Sequence, residues 1–204
     1  MKFLAIAAFM AMLVCSCNGP EQNQPASQDT TSKAGTPKAD TSKTYIPVAD
    51  YLRDEIKKID SLPVGILKRL TIGDKTDSGY IKPPEFRQLA AQFISPELEK
   101  GKFEQSFTES SFYDQSTELL TFTYQSTDPA SIVRRVDVLI SPSLALDKIR
   151  SIYLEKAWRS GDTAINSKLY WKAGTSFQVA TEKVAAQQLL PMEQLKVIWD
   201  PFSY

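Results

Sequence analysis

Residues 152–179 read IYLEKAWRSGDTAINSKLYWKAGTSFQV, and this stretch decides the fold class. Taking Gly161-Asp162 as a two-residue turn sets Trp158 opposite Ile165, Leu154 opposite Leu169 and Ile152 opposite Trp171. The other face then brings Glu155 to Lys168 and Tyr153 to Tyr170. Apolar pairs fall on one side and a charge pair on the other, the distribution that cross-strand energetics favours. A three-residue turn at Ala173-Gly174-Thr175 continues the pattern, placing Trp171 opposite Phe177 and Leu169 opposite Val179. One apolar face therefore runs across three consecutive strands.

Working outward, Leu195, Val197 and Trp199 mark a last strand, and Leu120, Phe122 and Tyr124 alternate upstream, as do Val136, Val138 and Ile140. Ile66 to Ile72 alternates like a strand, turns through Gly73-Asp74, and returns through Tyr80-Ile81. Two helices are available to cover the sheet. Val48, Leu52, Ile56 and Ile59 recur at helical spacing between Pro47 and Pro63. Phe86, Leu89, Ala90 and Phe93 do the same after Pro83-Pro84 and stop near Ser95-Pro96. The predicted fold is α+β: an antiparallel meander of about five to seven strands, with two amphipathic helices packed on one face.

The N-terminus reads as an address. After Met1-Lys2, an apolar run of twelve residues extends from Phe3 to Val14. As a helix it reaches about 18 Å, short of the roughly 30 Å hydrocarbon core, so it reads as an export signal and not a span. Val14-Cys15-Ser16-Cys17 resembles a bacterial lipobox. Cleavage behind Ser16 would free the Cys17 thiol to carry acyl chains. Cys15 fits worse, because bulky Val14 precedes it. The predicted organisation is a signal peptide over 1–16, a lipidated Cys17 with a polar tether over 17–43, and one domain over 44–204. From Asn18 to Lys43 no Val, Ile, Leu, Met, Phe, Trp or Tyr occurs. Such a segment cannot offset its ordering entropy and is expected to be a disordered stalk reaching about 28 Å. With Cys17 the only cysteine left after processing, the domain must stand without a disulfide.

Composition narrows the chemistry. Lys and Arg total 24 against 24 Asp and Glu, so no basic field favours nucleic acid. His is absent, which removes Ser-His-Asp and Cys-His catalysis and His-ligated zinc. No Gly-rich phosphate loop, Ser-x-x-Lys dyad or nucleophile elbow is present. Tyr153 and Tyr170, beside Glu155, Lys168 and Lys172 on the face away from the apolar stripe, are the candidate ligand-binding residues, although a plain cross-strand aromatic pair explains them as well. Trp158 and Trp171 belong to the apolar face and read as core.

Asp74 to Glu85 resembles an EF-hand calcium loop, which implies Asp74, Thr76, Ser78, Tyr80 and Glu85 as metal ligands. Thr76 and Ser78 depart from the usual carboxylates and amides, and Lys82 takes the ninth position. The run before it prefers a strand to an incoming helix. A proline-initiated helix after a turn is the competing reading, and no cofactor is expected. A His-independent hydrolase built on a carboxylate pair is a further alternative, though nothing marks such a pair. An outer-membrane barrel also alternates apolar and polar residues, but two helices and a lipobox argue against it.

Asp60-Ser61-Leu62-Pro63-Val64, Phe107-Thr108-Glu109-Ser110-Ser111-Phe112, Arg135-Val136-Asp137-Val138-Leu139 and Trp171-Lys172-Ala173-Gly174, together with Cys17, resemble uncharacterised envelope lipoproteins of the Bacteroidota type. The resemblance implies a lipid-anchored protein of the cell envelope, at the outer membrane, with its face undecided, and implies no activity. It also implies O-glycosylation at Asp-Ser/Thr-apolar-like triplets. Asp29-Thr30-Thr31 is the exposed candidate among them, beside Asp60-Ser61-Leu62 and Asp162-Thr163-Ala164. The sequence thus predicts a non-enzymatic binding or structural domain held to a membrane by lipid. Its partner is an envelope protein or a small ligand, not nucleic acid.

Overall fold

The two C-terminal turns form where the alternation of apolar residues puts them. Gly161 takes φ 57°, the left-handed conformation that primed hairpin turns require at the first central position. Ile152, Leu154 and Trp158 consequently face Trp171, Leu169 and Ile165. Trp171 and Leu169 then face Phe177 and Val179 across the Ala173–Thr175 turn. The computed structural model describes residues 45–142 and 148–200. The expected signal peptide over 1–16, the expected lipidated Cys17 and tether over 17–43, and the Asp29-Thr30-Thr31 triplet lie outside the described residues.

Ten strands are found among the described residues: β1 Ile66–Ile72, β2 Lys75–Ile81, β3 Phe107–Asp114, β4 Leu119–Ser126, β5 Val133–Ser141, β6 Lys148–Ser160, β7 Thr163–Lys172, β8 Ser176–Ala185, β9 Gln188–Leu189 and β10 Glu193–Ile198. They form one antiparallel sheet in the order β2-β1-β10-β8-β7-β6-β5-β4-β3, with β9 paired to the far end of β8. The expectation of five to seven strands was too low. The strands that escape the count sit at or near the edges. β3 buries only Phe107, and β9 is two residues long and exposed at both, so neither carries a full alternation of burial.

Three α-helices accompany the sheet: α1 Val48–Ser61, α2 Pro83–Ala90 and α3 Lys100–Ser106. Two were expected. The third is seven residues long and contributes a single buried side chain, Phe103, too little to show a period. α1 buries Val48, Ala49, Leu52 and Ile59, and α2 buries Phe86 and Ala90. A 3-10 turn at Ala91–Phe93 then delivers Phe93.

These side chains meet the apolar sheet face in an aromatic cluster. Trp171 stacks on Phe177 at 5.6 Å, and Phe93 sits edge-on to both at 5.2 Å. Trp199 lies 5.3 Å from Trp171 and 5.7 Å from Phe86. Trp171 Nε1, buried within this cluster, has no hydrogen-bond partner among the described residues. Trp158, placed in the core by its register, is half-buried and lines a gap between the sheet and the segment after α2. No helix among the described residues is long and apolar enough to cross a membrane.

Candidate ligand-binding groove

With one sheet face committed to the helices, chemistry is left to the other. Cross-strand register joins that outer face into continuous rows. One row runs Ser78, Arg69, Lys196, Gln178, Tyr170, Tyr153, from β2 through β1, β10, β8 and β7 to β6. The adjacent row runs Thr76, Thr71, Gln194, Ala180, Lys168, Glu155 across the same strands. Between them the twisted sheet forms a trough of about 780 Å³, lined by residues of both rows. Tyr153 and Tyr170, the pair expected on this face, line its β6–β7 end.

The trough is cationic. Arg69, Lys168 and Lys196 line it and no carboxylate does. None of the three makes an ion pair among the described residues, nor do Lys57, Lys75, Lys82 or Arg150, whereas six other cations do. Lys68, one residue from Arg69 but on the helix-covered face, meets Glu85 at 2.5 Å, and Lys183 meets Glu193 at 2.6 Å. Arg69 stands directly opposite Lys196, an arrangement that costs stability unless an anion screens it.

Of the acids on this face, Glu182 is exposed two residues along β8 from Ala180, the register partner of Lys168, while Glu155 and Asp137 are turned to other partners. Glu155 lies opposite Lys168 as expected, but the charge pair does not form; Glu155 accepts a 2.7 Å hydrogen bond from the Tyr153 hydroxyl instead. Burial, and then that carboxylate, push the Tyr153 phenol well above its ordinary range, so it stays protonated and its ring is held in place. Asp137 accepts from Thr123 Oγ1 at 2.8 Å and from Arg135 Nε at 2.9 Å. Lys168 makes no ion pair with either and lines the trough.

The five residues of the expected calcium loop are not brought to one point. Lys75–Ile81 is an extended strand, so about 20 Å of backbone separates Asp74 in the β1–β2 turn from Glu85 in the first turn of α2. Calcium ligands must all lie within about 2.6 Å of the ion. Glu85 is held by Lys68 instead, Tyr80 is 79% exposed, and Thr76 and Ser78 face outward into the trough. No group of three or more Cys, Asp or Glu suited to a metal occurs among the described residues.

Smaller concavities border the sheet, among them one of about 390 Å³ lined by Lys148, Arg150, Tyr170 and Lys172. An apolar cleft of about 560 Å³ runs between Leu62, Val64, Leu67, Tyr80 and Ile198. The gap of about 250 Å³ beside Trp158 contains Lys156, whose Nζ donates to the Gln92 carbonyl at 2.6 Å. Burial pushes the Lys156 ammonium below its ordinary range, partly offset by Glu97.

Arg69, Lys196, Gln178 and Gln194 were not singled out in the sequence. Their alternation places each on the outward side of its strand, but only the docking of β1 on β10 makes them neighbours. The assembly defines a class: an open antiparallel sheet that covers one face with helices and presents a cationic trough on the other. No protein-family model matches the chain, and no curated protein matches it.

Proposed function

We propose that this chain is a lipid-anchored envelope protein whose domain binds an anionic ligand in the trough between β2 and β6 and performs no chemistry on it. Cys17 in its lipobox-like setting supports the anchor, at the outer membrane, and the polar tether supports display of the domain away from the bilayer. The observation that carries the binding reading is the unpaired cation set, with Arg69 facing Lys196 across the strand boundary and Lys168 lining the same trough. Two like charges placed together without an acid cost stability, and a bound anion recovers that cost. A carboxylate-pair hydrolase would need two acids facing each other in the cavity, and the lining offers none.

The test is a titration of the isotope-labelled full chain in detergent with inorganic pyrophosphate, followed by amide NMR. Chemical-shift changes are expected at residues 69, 168, 178 and 196 and not in α1. They should disappear in Arg69→Gln/Lys196→Gln but persist in Lys57→Gln/Lys58→Gln, which removes the same charge from an exposed helix face. Changes spread evenly over surface lysines, or unaltered by the first double variant, would reject the groove.

A further inference from the structure

Resting on the anion-groove reading, we infer that the ligand is an extended acidic glycan: a hydroxyl-rich chain carrying a carboxylate or sulfate on only some of its units. The first ground is length. Side chains from six neighbouring strands, β2 to β6, line the trough, and five strand spacings make about 24 Å. A compact anion would occupy a fraction of that.

The second ground is the spacing of charge. Arg69 and Lys196 sit side by side, and Lys168 lies two strand spacings beyond β10, about 10 Å away. Gln178, Gln194, Thr71, Thr76 and Ser78 share the rest of the floor and walls with Val179, Ala180 and Leu195. Neutral hydrogen-bonding groups therefore outnumber cations, which matches a chain whose hydroxyls outnumber its charges. A nucleic-acid strand carries a charge on every unit and asks for an aromatic platform under successive bases. This trough has one tyrosine pair, and beyond it on the same face stand Glu155, Asp137 and the Arg135 paired to Asp137, so the cationic character does not continue for a uniform polyanion.

The third ground is Tyr170. Its ring is 39% exposed at the β7 position opposite Tyr153, whose hydroxyl is tied to Glu155. An exposed aromatic surface at one end of a polar trough stacks on the C–H face of a sugar ring while the hydroxyl edges reach the glutamines.

Affinity electrophoresis of the full chain in nonionic detergent tests this, with hyaluronate, polygalacturonate, neutral dextran or oligo(dT) cast in the gel. Retardation by hyaluronate is expected at concentrations at least tenfold below any effect of dextran. Tyr170→Ala should weaken it about tenfold, and Arg69→Gln/Lys196→Gln at least a hundredfold, with melting temperatures confirming that both variants fold. Failure of both acidic polysaccharides to retard a protein that still responds to pyrophosphate at residues 69 and 196 would reject the glycan and leave the anion groove standing. Stronger retardation by oligo(dT) than by hyaluronate would overturn the glycan in favour of a nucleic-acid strand. Loss of the pyrophosphate response itself would remove the underlying reading.

Discussion

Lys156 occupies an alternation slot that belongs to the core, between Leu154 and Trp158 on β6. Its ammonium is accommodated because Nζ donates to the Gln92 carbonyl, in the 3-10 turn that follows α2, while Glu97 lies near enough to oppose the effect of burial. The bond ties the helical layer to the sheet, and its energetic signature is a dependence on pH. With the folded-state pKa held below 10.5, the unfolded chain keeps its proton where the folded chain has lost it. Stability from this residue therefore rises as pH climbs toward 10.5. Urea unfolding of wild type and Lys156→Met across the alkaline range should show the difference in unfolding free energy growing in favour of wild type. A difference independent of pH would mean that the ammonium is not buried in the fold. Tyr153 illustrates the same scale on the other face. Its burial and its bond to Glu155 could not be read from a tyrosine in an alternating strand, although its sidedness could.

At the scale of elements, the turns set the register. Gly161 and Gly174 stand at positive φ, and glycine is the residue that adopts this conformation without strain. The β8–β9 hairpin is different. Its two-residue loop, Ala186-Gln187, carries φ 48° and 66° on residues with a Cβ. Both angles are those of a type I′ turn, where Asn-Gly is the preferred pair. Ala186→Asn/Gln187→Gly is expected to stabilise the protein by about 1–2 kcal/mol by relieving that strain, measured as a higher urea midpoint at unchanged slope. No gain would indicate that the loop relaxes away from positive φ in solution. The central strands and both long helices were legible because each buries one face, and burial imposes a period. β3, β9 and α3 were not, because an edge strand, a two-residue strand or a two-turn helix buries too few side chains for a period to appear. The calcium-like spacing from Asp74 to Glu85 shows the reverse error. Oxygen-bearing side chains at loop spacing gather around an ion only if the backbone curls, and pairing with β1 keeps this backbone extended.

At the scale of the whole molecule, the N-terminal hairpin β1–β2 docks on the last strand, β10, so the trough is complete only when both ends of the domain meet. Arg69 and Lys196 are separated by most of the domain in sequence and adjacent in register. The proposed anchor belongs to this scale as well. Intact mass of the protein extracted from membranes is expected to begin at Cys17 and to exceed the mass of residues 17–204 by a diacylglyceryl group, with or without a further acyl chain. A mass that retains Met1, or a free Cys17 thiol, would refute the anchor and with it the envelope setting.

The chain's own order of residues determined the antiparallel class, the register of the β6–β7–β8 meander, the covering helices and the outward side of Tyr153 and Tyr170. Each follows from local turn chemistry or from the period that one-sided burial imposes. Which strands become neighbours across long connections, whether Glu155 pairs with Lys168 or with Tyr153, and where three cations converge were decided by tertiary structure alone. Those outcomes depend on packing and on competition among partners distant in sequence, and no spacing along the chain encodes them.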